Sequence, residues 1–133
     1  MGRKSSVHEE QVFRIVAREL ATTGRFTVDA LRAATGLSMG SIYHRFGSRE
    51  GLLAETWLNA IERFQMRFIK AVAAGTVEAG LEASLVTPRF CRSNPGQAIL
   101  LACCRQAEFL GEATPEELRA RIAMVNDKVS GAV

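Results

Sequence analysis

The chain is poor in the residues from which disulfide scaffolds, metal centres and most catalytic sites are built. It has three cysteines, Cys91, Cys103 and Cys104, an odd number without framework spacing. That excludes a disulfide-stapled fold. On one helix, neighbours such as Cys103 and Cys104 point about 100° apart, a poor geometry for a shared metal, so all three read as free thiols. Histidine occurs only as His8 and His44. No carboxylate pair, Cys-His arrangement or glycine-rich phosphate loop after a strand accompanies them. The expectation is therefore a protein that is not an enzyme, with no metal and no cofactor. Long apolar runs are missing too, and nothing approaches the roughly 20 residues of a membrane span. The first residues, Met1 to Ser6, are basic, but a charged amphipathic stretch follows them where a secretory leader would place an apolar run. A cytoplasmic protein with no membrane partner is expected. Sustained period-two alternation with β-branched residues is likewise absent, which leaves an all-α fold.

What is present suffices for a core: 47% of the 133 residues are hydrophobic and 23% are charged. The net charge of +3 is unevenly placed. Residues 1–50 hold eight of the 17 basic and five of the 14 acidic side chains, so the whole excess lies there and the remainder is neutral. A basic segment on a neutral partner is the asymmetry of a polyanion-binding unit, although charge alone fits an ordinary basic surface equally well.

Capping signals divide the chain into seven expected helices. Ser6 and Glu9 form a capping box for the first, with Val12, Ile15, Val16 and Leu20 on one face and Gly24 as its stop. Thr27 caps a short second helix that ends at Gly36, with Val28, Leu31 and Ala34 turned inward. Ser38 caps a third, which buries Ile42 and Phe46. Ser48 caps a long fourth, carrying Leu53, Trp57, Ile61, Phe64 and Phe68 at helical spacing and ending at Gly75. A fifth runs from Thr76 towards Cys91, with Pro88 kinking or stopping it near its end. Asn94-Pro95-Gly96-Gln97 opens a sixth that continues to about Leu110. Thr114-Pro115-Glu116-Glu117 opens a seventh that reaches the end of the chain. Residues 1–47 thus form one unit and residues 48–133 a second, joined mechanically by the fourth helix.

The stretch from Thr27 to Phe46 combines two short capped helices with a glycine turn between them, the pattern of a helix-turn-helix. With Ile42 set inward, Gly40 and His44 face outward and Ser41 and Tyr43 lie on the flanks. An exposed helical glycine costs about 1 kcal/mol relative to alanine, a cost that makes sense where a phosphate or base edge must approach the backbone. Ser38, Ser41, Tyr43 and His44 are short or amphipathic donors suited to phosphate oxygens. The bare amides at the helix start attract an anion, and Arg45 and Arg49 add positive charge beside them. Tyr43 also fits an ordinary half-buried aromatic, His44 a solvated surface residue, and the Arg3-Lys4 arm either a tail or a minor-groove contact.

The run GLSMGSIYHRFGSREGLL resembles the TetR/AcrR (tetracycline-repressor-like) bacterial regulators. The similarity covers roughly residues 8–60: a turn glycine, an apolar residue and Ser, a Gly-Ser-aliphatic-Tyr block, then Phe, a Ser-Arg-Glu step and Leu-Leu. It implies a homodimeric, ligand-responsive repressor that binds a palindromic double-stranded DNA operator and is released by a small effector. Carried over by position, Thr27, Ser41, Tyr43, His44 and Arg49 contact phosphates, and Met39, Gly40 and His44 face base edges. Arg32 and Thr35 depart from the family's small residues before the turn glycine. The resemblance also implies two further long helices, which nothing after Val133 supplies, so the C-terminal unit reads as truncated. Within that unit Trp57, Phe64, Phe68, Cys103 and Gln106 are candidates for an effector pocket, while the Trp57-to-Phe68 stripe fits plain core as well. The other reading is a helical ligand-binding or protein-interaction module whose helix-turn-helix no longer reads DNA.

Overall fold

The structure is a computed structural model that describes residues 2–132, and the side chains of residues 8–132. The described residues form helices joined by turns and short loops, with no strand. Nine α-helices follow in order: α1 (Gly2–Thr23), α2 (Val28–Thr35), α3 (Met39–Phe46), α4 (Arg49–Val72), α5 (Val77–Ser84), α6 (Val86–Ser93), α7 (Pro95–Cys103), α8 (Glu116–Ala123) and α9 (Asp127–Ala132), with a 3-10 turn (Gln106–Phe109) before α8. No helix among them is long and apolar enough to cross a membrane.

Local chemistry sets the boundaries that matter most for function. The Thr27 hydroxyl accepts from the Ala30 amide at 3.1 Å and opens α2. Gly36, with φ of 73°, ends it in the left-handed conformation that side chains with a Cβ resist. Ser38 accepts from the Ser41 amide at 3.0 Å and opens α3. Ser48 does the same for α4 through the Gly51 amide at 2.9 Å. Each such cap stabilises its helix by about 1 kcal/mol.

Two cores result. Val12, Phe13, Ile15 and Val16 of α1 enclose the first with Phe26, Leu31, Ile42, Phe46 and Leu52. The second gathers Ala54, Trp57, Leu58 and Ala60 of α4 around Leu100, Phe109, Leu118, Ile122 and Val125. Ala17 of α1 belongs to this second core. Helix α4 packs against α1, α3 and every helix from α5 to α9, so it is the axle of the molecule. At Gly96 the tip of α7 meets the backbone of α1 so closely that a Cβ would lie 3.3 Å from the Arg18 nitrogen.

Several expectations need correction. Helix α1 begins at Gly2, before the expected cap at Ser6; the side chains of Ser6, Arg3 and Lys4 lie outside the described residues. The expected fifth helix is two, broken at Leu85. A proline ring collides with the carbonyl four residues back, which for Pro88 is that of Ser84, so the break falls there and Pro88 sits in the first turn of α6. Helix α7 ends at Cys103 rather than Leu110, because Cys104 and Arg105 are extended and the Glu108 carboxylate accepts from the Arg105 amide to start the 3-10 turn. The expected seventh helix divides into α8 and α9. The break turns Val125 into the core and Asn126 towards Gln65, whose amide donates to it at 3.0 Å. Neither Asn94 nor Thr114 caps with its side chain. Ala34 is exposed, and Thr35 takes the half-buried place beside it.

Candidate DNA-binding surface

Helix α3 is held by one face. Ile42 is 1% exposed and Phe46 5%, and each such burial contributes about 1.5–3 kcal/mol. The Phe46 ring meets Phe13 of α1 edge-on at 5.8 Å. The helical repeat then dictates what faces away: Met39, Gly40, Ser41 and His44 are exposed, and Tyr43 is half-buried on the flank. An added Cβ at Gly40 would meet only the Ser38 hydroxyl, at 3.9 Å. Nothing inside the chain therefore requires a glycine there.

The flanking groups are fixed by their own contacts. The Ser38 hydroxyl, besides accepting from the Ser41 amide, donates to the Ser41 hydroxyl at 2.9 Å, which aligns the two at the start of α3. Thr27 is exposed at the start of α2. Arg49 lies with its guanidinium 4.6 Å from the centre of the Phe26 ring and donates to the Phe26 carbonyl at 3.4 Å. No carboxylate among the described residues pairs with it, so it is an oriented, exposed cation. Thr27, Ser38, Met39, Gly40, Ser41, Tyr43, His44 and Arg49 thus sit on α3 and on the residues that begin α2 and α4.

Arg45 does not join them. It was expected to add charge beside the helix, but it donates to Glu9 of α1 and to Glu55 of α4, the latter at 3.1 Å. Hydrogen bonding to Glu9, ahead of that to Glu55, holds its pKa above the ordinary arginine value despite partial burial. Arg45 is a tie between three helices. Arg32, which stands where a small residue was expected, stays exposed and pairs with Asp29 at 3.5 Å. Thr35 has a use of its own: its hydroxyl donates to the Leu31 carbonyl at 2.7 Å and accepts from the Leu37 amide at 3.2 Å, bracing the turn.

Gly51 is the positioning residue that sequence reasoning passed over. A Cβ there would lie 2.3 Å from the Phe46 carbonyl oxygen, so the first turn of α4 crosses the end of α3 at a distance only glycine permits. The available signal was a glycine inside the first turn of a helix, where its low propensity needs a reason.

The five candidate effector residues do not come together. Trp57 is core: its ring packs on Phe109 at 5.3 Å and its indole N–H donates to the Cys104 carbonyl at 3.1 Å. Cys103 is exposed. Gln106 donates to the Ile122 carbonyl at 2.8 Å and serves the packing of α8. Phe64 and Phe68 share a cleft of about 260 Å³ with Ile61 and Gln65. A larger cleft of about 580 Å³ opens between α4, α5 and α6, floored by Val86 and Phe90 and rimmed by Arg67, Lys70 and Arg89.

A rod with exposed amides and hydroxyls at its tip, a bare glycine on its outer face and an oriented cation beside it can hold phosphate oxygens while its face reaches base edges. Residues 16–56, from the second half of α1 into α4, match the family model described as bacterial regulatory proteins, tetR family. No curated protein and no solved structure matches the chain.

Proposed function

We propose that the chain, whose residues 16–56 match the tetR family of bacterial regulatory proteins, is a DNA-binding transcription regulator of that family, a ligand-responsive repressor that acts in the cytoplasm as a homodimer on a palindromic operator. Each copy sets one α3 into the major groove, so half-sites lie about 10 base pairs apart or a multiple of that. Residues 1–47 are the DNA-binding unit and residues 48–133 the regulatory one. Thr27, Ser38, Ser41, Tyr43, His44 and Arg49 hold phosphates, while Met39, Gly40 and His44 meet base edges. The cleft between α4, α5 and α6 is the place for an effector, with Phe90 as its apolar floor.

The observation that carries this reading is Gly40: outward on α3, with only the Ser38 hydroxyl near it inside the chain, and costly to the helix unless something outside approaches it. Selection of bound duplexes from a random DNA pool tests it, by recovering a symmetric sequence with two spaced half-sites. Binding to that sequence should weaken on the order of 10³–10⁵ between 50 and 200 mM salt if six to ten phosphates are held. The Tyr43→Phe, Arg49→Ala double variant should bind every duplex less tightly and with a shallower salt slope. Recovery of no sequence, or unaltered binding by the double variant, would refute the site.

A further inference from the structure

Two side chains that DNA binding leaves unused stand together where α7 ends. Cys103 and Cys104 would diverge as neighbours on one helix, but the helix stops between them. Cys104 is extended, with φ of −113°, about 50° beyond the helical value of about −63°. With Cys103 still helical, that rotation swings the Cys104 Cβ towards the Cys103 Cβ, so both side chains leave the backbone on one side. Cys103 is exposed and Cys104 half-buried, and both are free thiols.

The backbone holds this arrangement in place. The Cys104 amide donates to the Leu100 carbonyl at 2.9 Å, and the Cys104 carbonyl accepts from the Trp57 indole at 3.1 Å. The next amide, that of Arg105, donates to the Glu108 carboxylate. Cys104 also packs against the second core. Ligating groups fixed beforehand lose less freedom on binding. Burial, then Glu108, then Cys103 push the Cys104 thiol up, so the two sulfurs sense one another. Thiolates select soft ions. A structural zinc would take four ligands, and among the described residues no three His, Cys, Asp or Glu side chains gather to hold a metal. A monosubstituted trivalent arsenic needs only two thiols, because its third bond goes to carbon.

We propose that Cys103 and Cys104 are a two-thiol site for a monosubstituted trivalent arsenical. On binding, the arsenic–oxygen bond of the free oxide breaks and two As–S bonds form. The oxygen leaves as water with both thiol protons; arsenic stays trivalent, and nothing is oxidised or reduced. Titration of the full, reduced chain with phenylarsine oxide tests the site. Intact-mass spectrometry should show one arsenical added per chain with loss of one water. The emission of Trp57, the single tryptophan of the chain, should change in step, because its N–H partner is the Cys104 carbonyl. The adduct should survive excess mercaptoethanol and yield to a dithiol competitor. Cys103→Ser alters an exposed position and keeps the fold. It should lose on the order of a hundredfold in affinity, the gain that a second linked contact supplies, while Cys91→Ser should lose nothing. Inorganic arsenite, which favours three thiols, should bind at least tenfold more weakly. No adduct that resists mercaptoethanol, binding unaltered by Cys103→Ser, or an adduct that links two chains would each overturn the proposal. So would arsenite binding of equal strength that Cys91→Ser abolishes, since the site would then have three thiols.

Discussion

Gly40→Ala separates two requirements that other substitutions on α3 confound. The position is helical, exposed and without internal neighbours apart from the Ser38 hydroxyl, 3.9 Å from where the new methyl would stand. Within the protein the substitution is all gain: alanine is favoured over glycine in a helix by up to about 1 kcal/mol. For a chain of this size that raises the melting temperature by about 3–6 °C. Against a duplex the sign reverses. A methyl forced into a closely fitted contact costs about 1–3 kcal/mol, and each 1.4 kcal/mol is tenfold in affinity. The variant should therefore melt higher and bind its selected duplex roughly 5- to 150-fold less tightly. Scanning calorimetry reads the first effect and fluorescence anisotropy on the labelled duplex the second. A stabilised variant with unchanged affinity would refute the claim that this glycine serves a close approach. A destabilised one would refute the claim that its face is free.

Gly51→Ala should destabilise the fold by about 1–3 kcal/mol in denaturant titration, because its Cβ meets the Phe46 carbonyl oxygen at 2.3 Å, whereas Gly80→Ala, with nothing within 4 Å, should not. Arg45→Ala should cost about 0.5–1 kcal/mol of stability, since the pairs with Glu9 and Glu55 are partly exposed. It should leave the salt slope of DNA binding unchanged, which a phosphate contact would not. Burial, followed by the nearby Glu108 and Cys103, pushes the Cys104 thiol up. Iodoacetamide should therefore modify exposed Cys91 and Cys103 before Cys104, as mass spectrometry can follow. The sign for stability is set by the same shift. The folded chain holds Cys104 as a thiol after an unfolded chain would have ionised it, so its contribution is full below about pH 8.5 and fades as pH rises through the folded value.

The helix-turn-helix was legible because each of its boundaries rests on neighbours in the chain. Thr27, Gly36 and Ser38 act within three or four residues, so their types and spacing specify the geometry directly. Ile42 and Phe46 follow from the helical repeat. The C-terminal helices were less legible for a matching reason. The end of α7 depends on Glu108 reaching back to Arg105, and the break before α9 on Asn126 meeting Gln65, which lies 61 residues away. Asn94 resembled a cap but found a carbonyl in α6 instead. Arg45 shows the same limit at the site itself: sequence placed it on α3, while its role was decided by Glu9 and Glu55 on other helices.

The division expected at residues 47 and 48 follows the chain, yet the packing crosses it. Val16 of α1 closes the first core while its neighbour Ala17 lies in the second, and Gly96 presses the tip of α7 onto the same turn of α1. Close-packed interiors transmit displacement instead of absorbing it. A change that parts α7 from α1 must therefore disturb either Ala17 or the Val12–Val16 face on which Ile42 and Phe46 rest. The junction between α3 and α4 is close as well, because at Gly51 even an added Cβ would lie 2.3 Å from the Phe46 carbonyl oxygen. The outer face of α3 is thus oriented by α1 as much as by the turn that precedes it. Contacts between α1 and α7, remote from any base edge, belong to the geometry that a duplex meets.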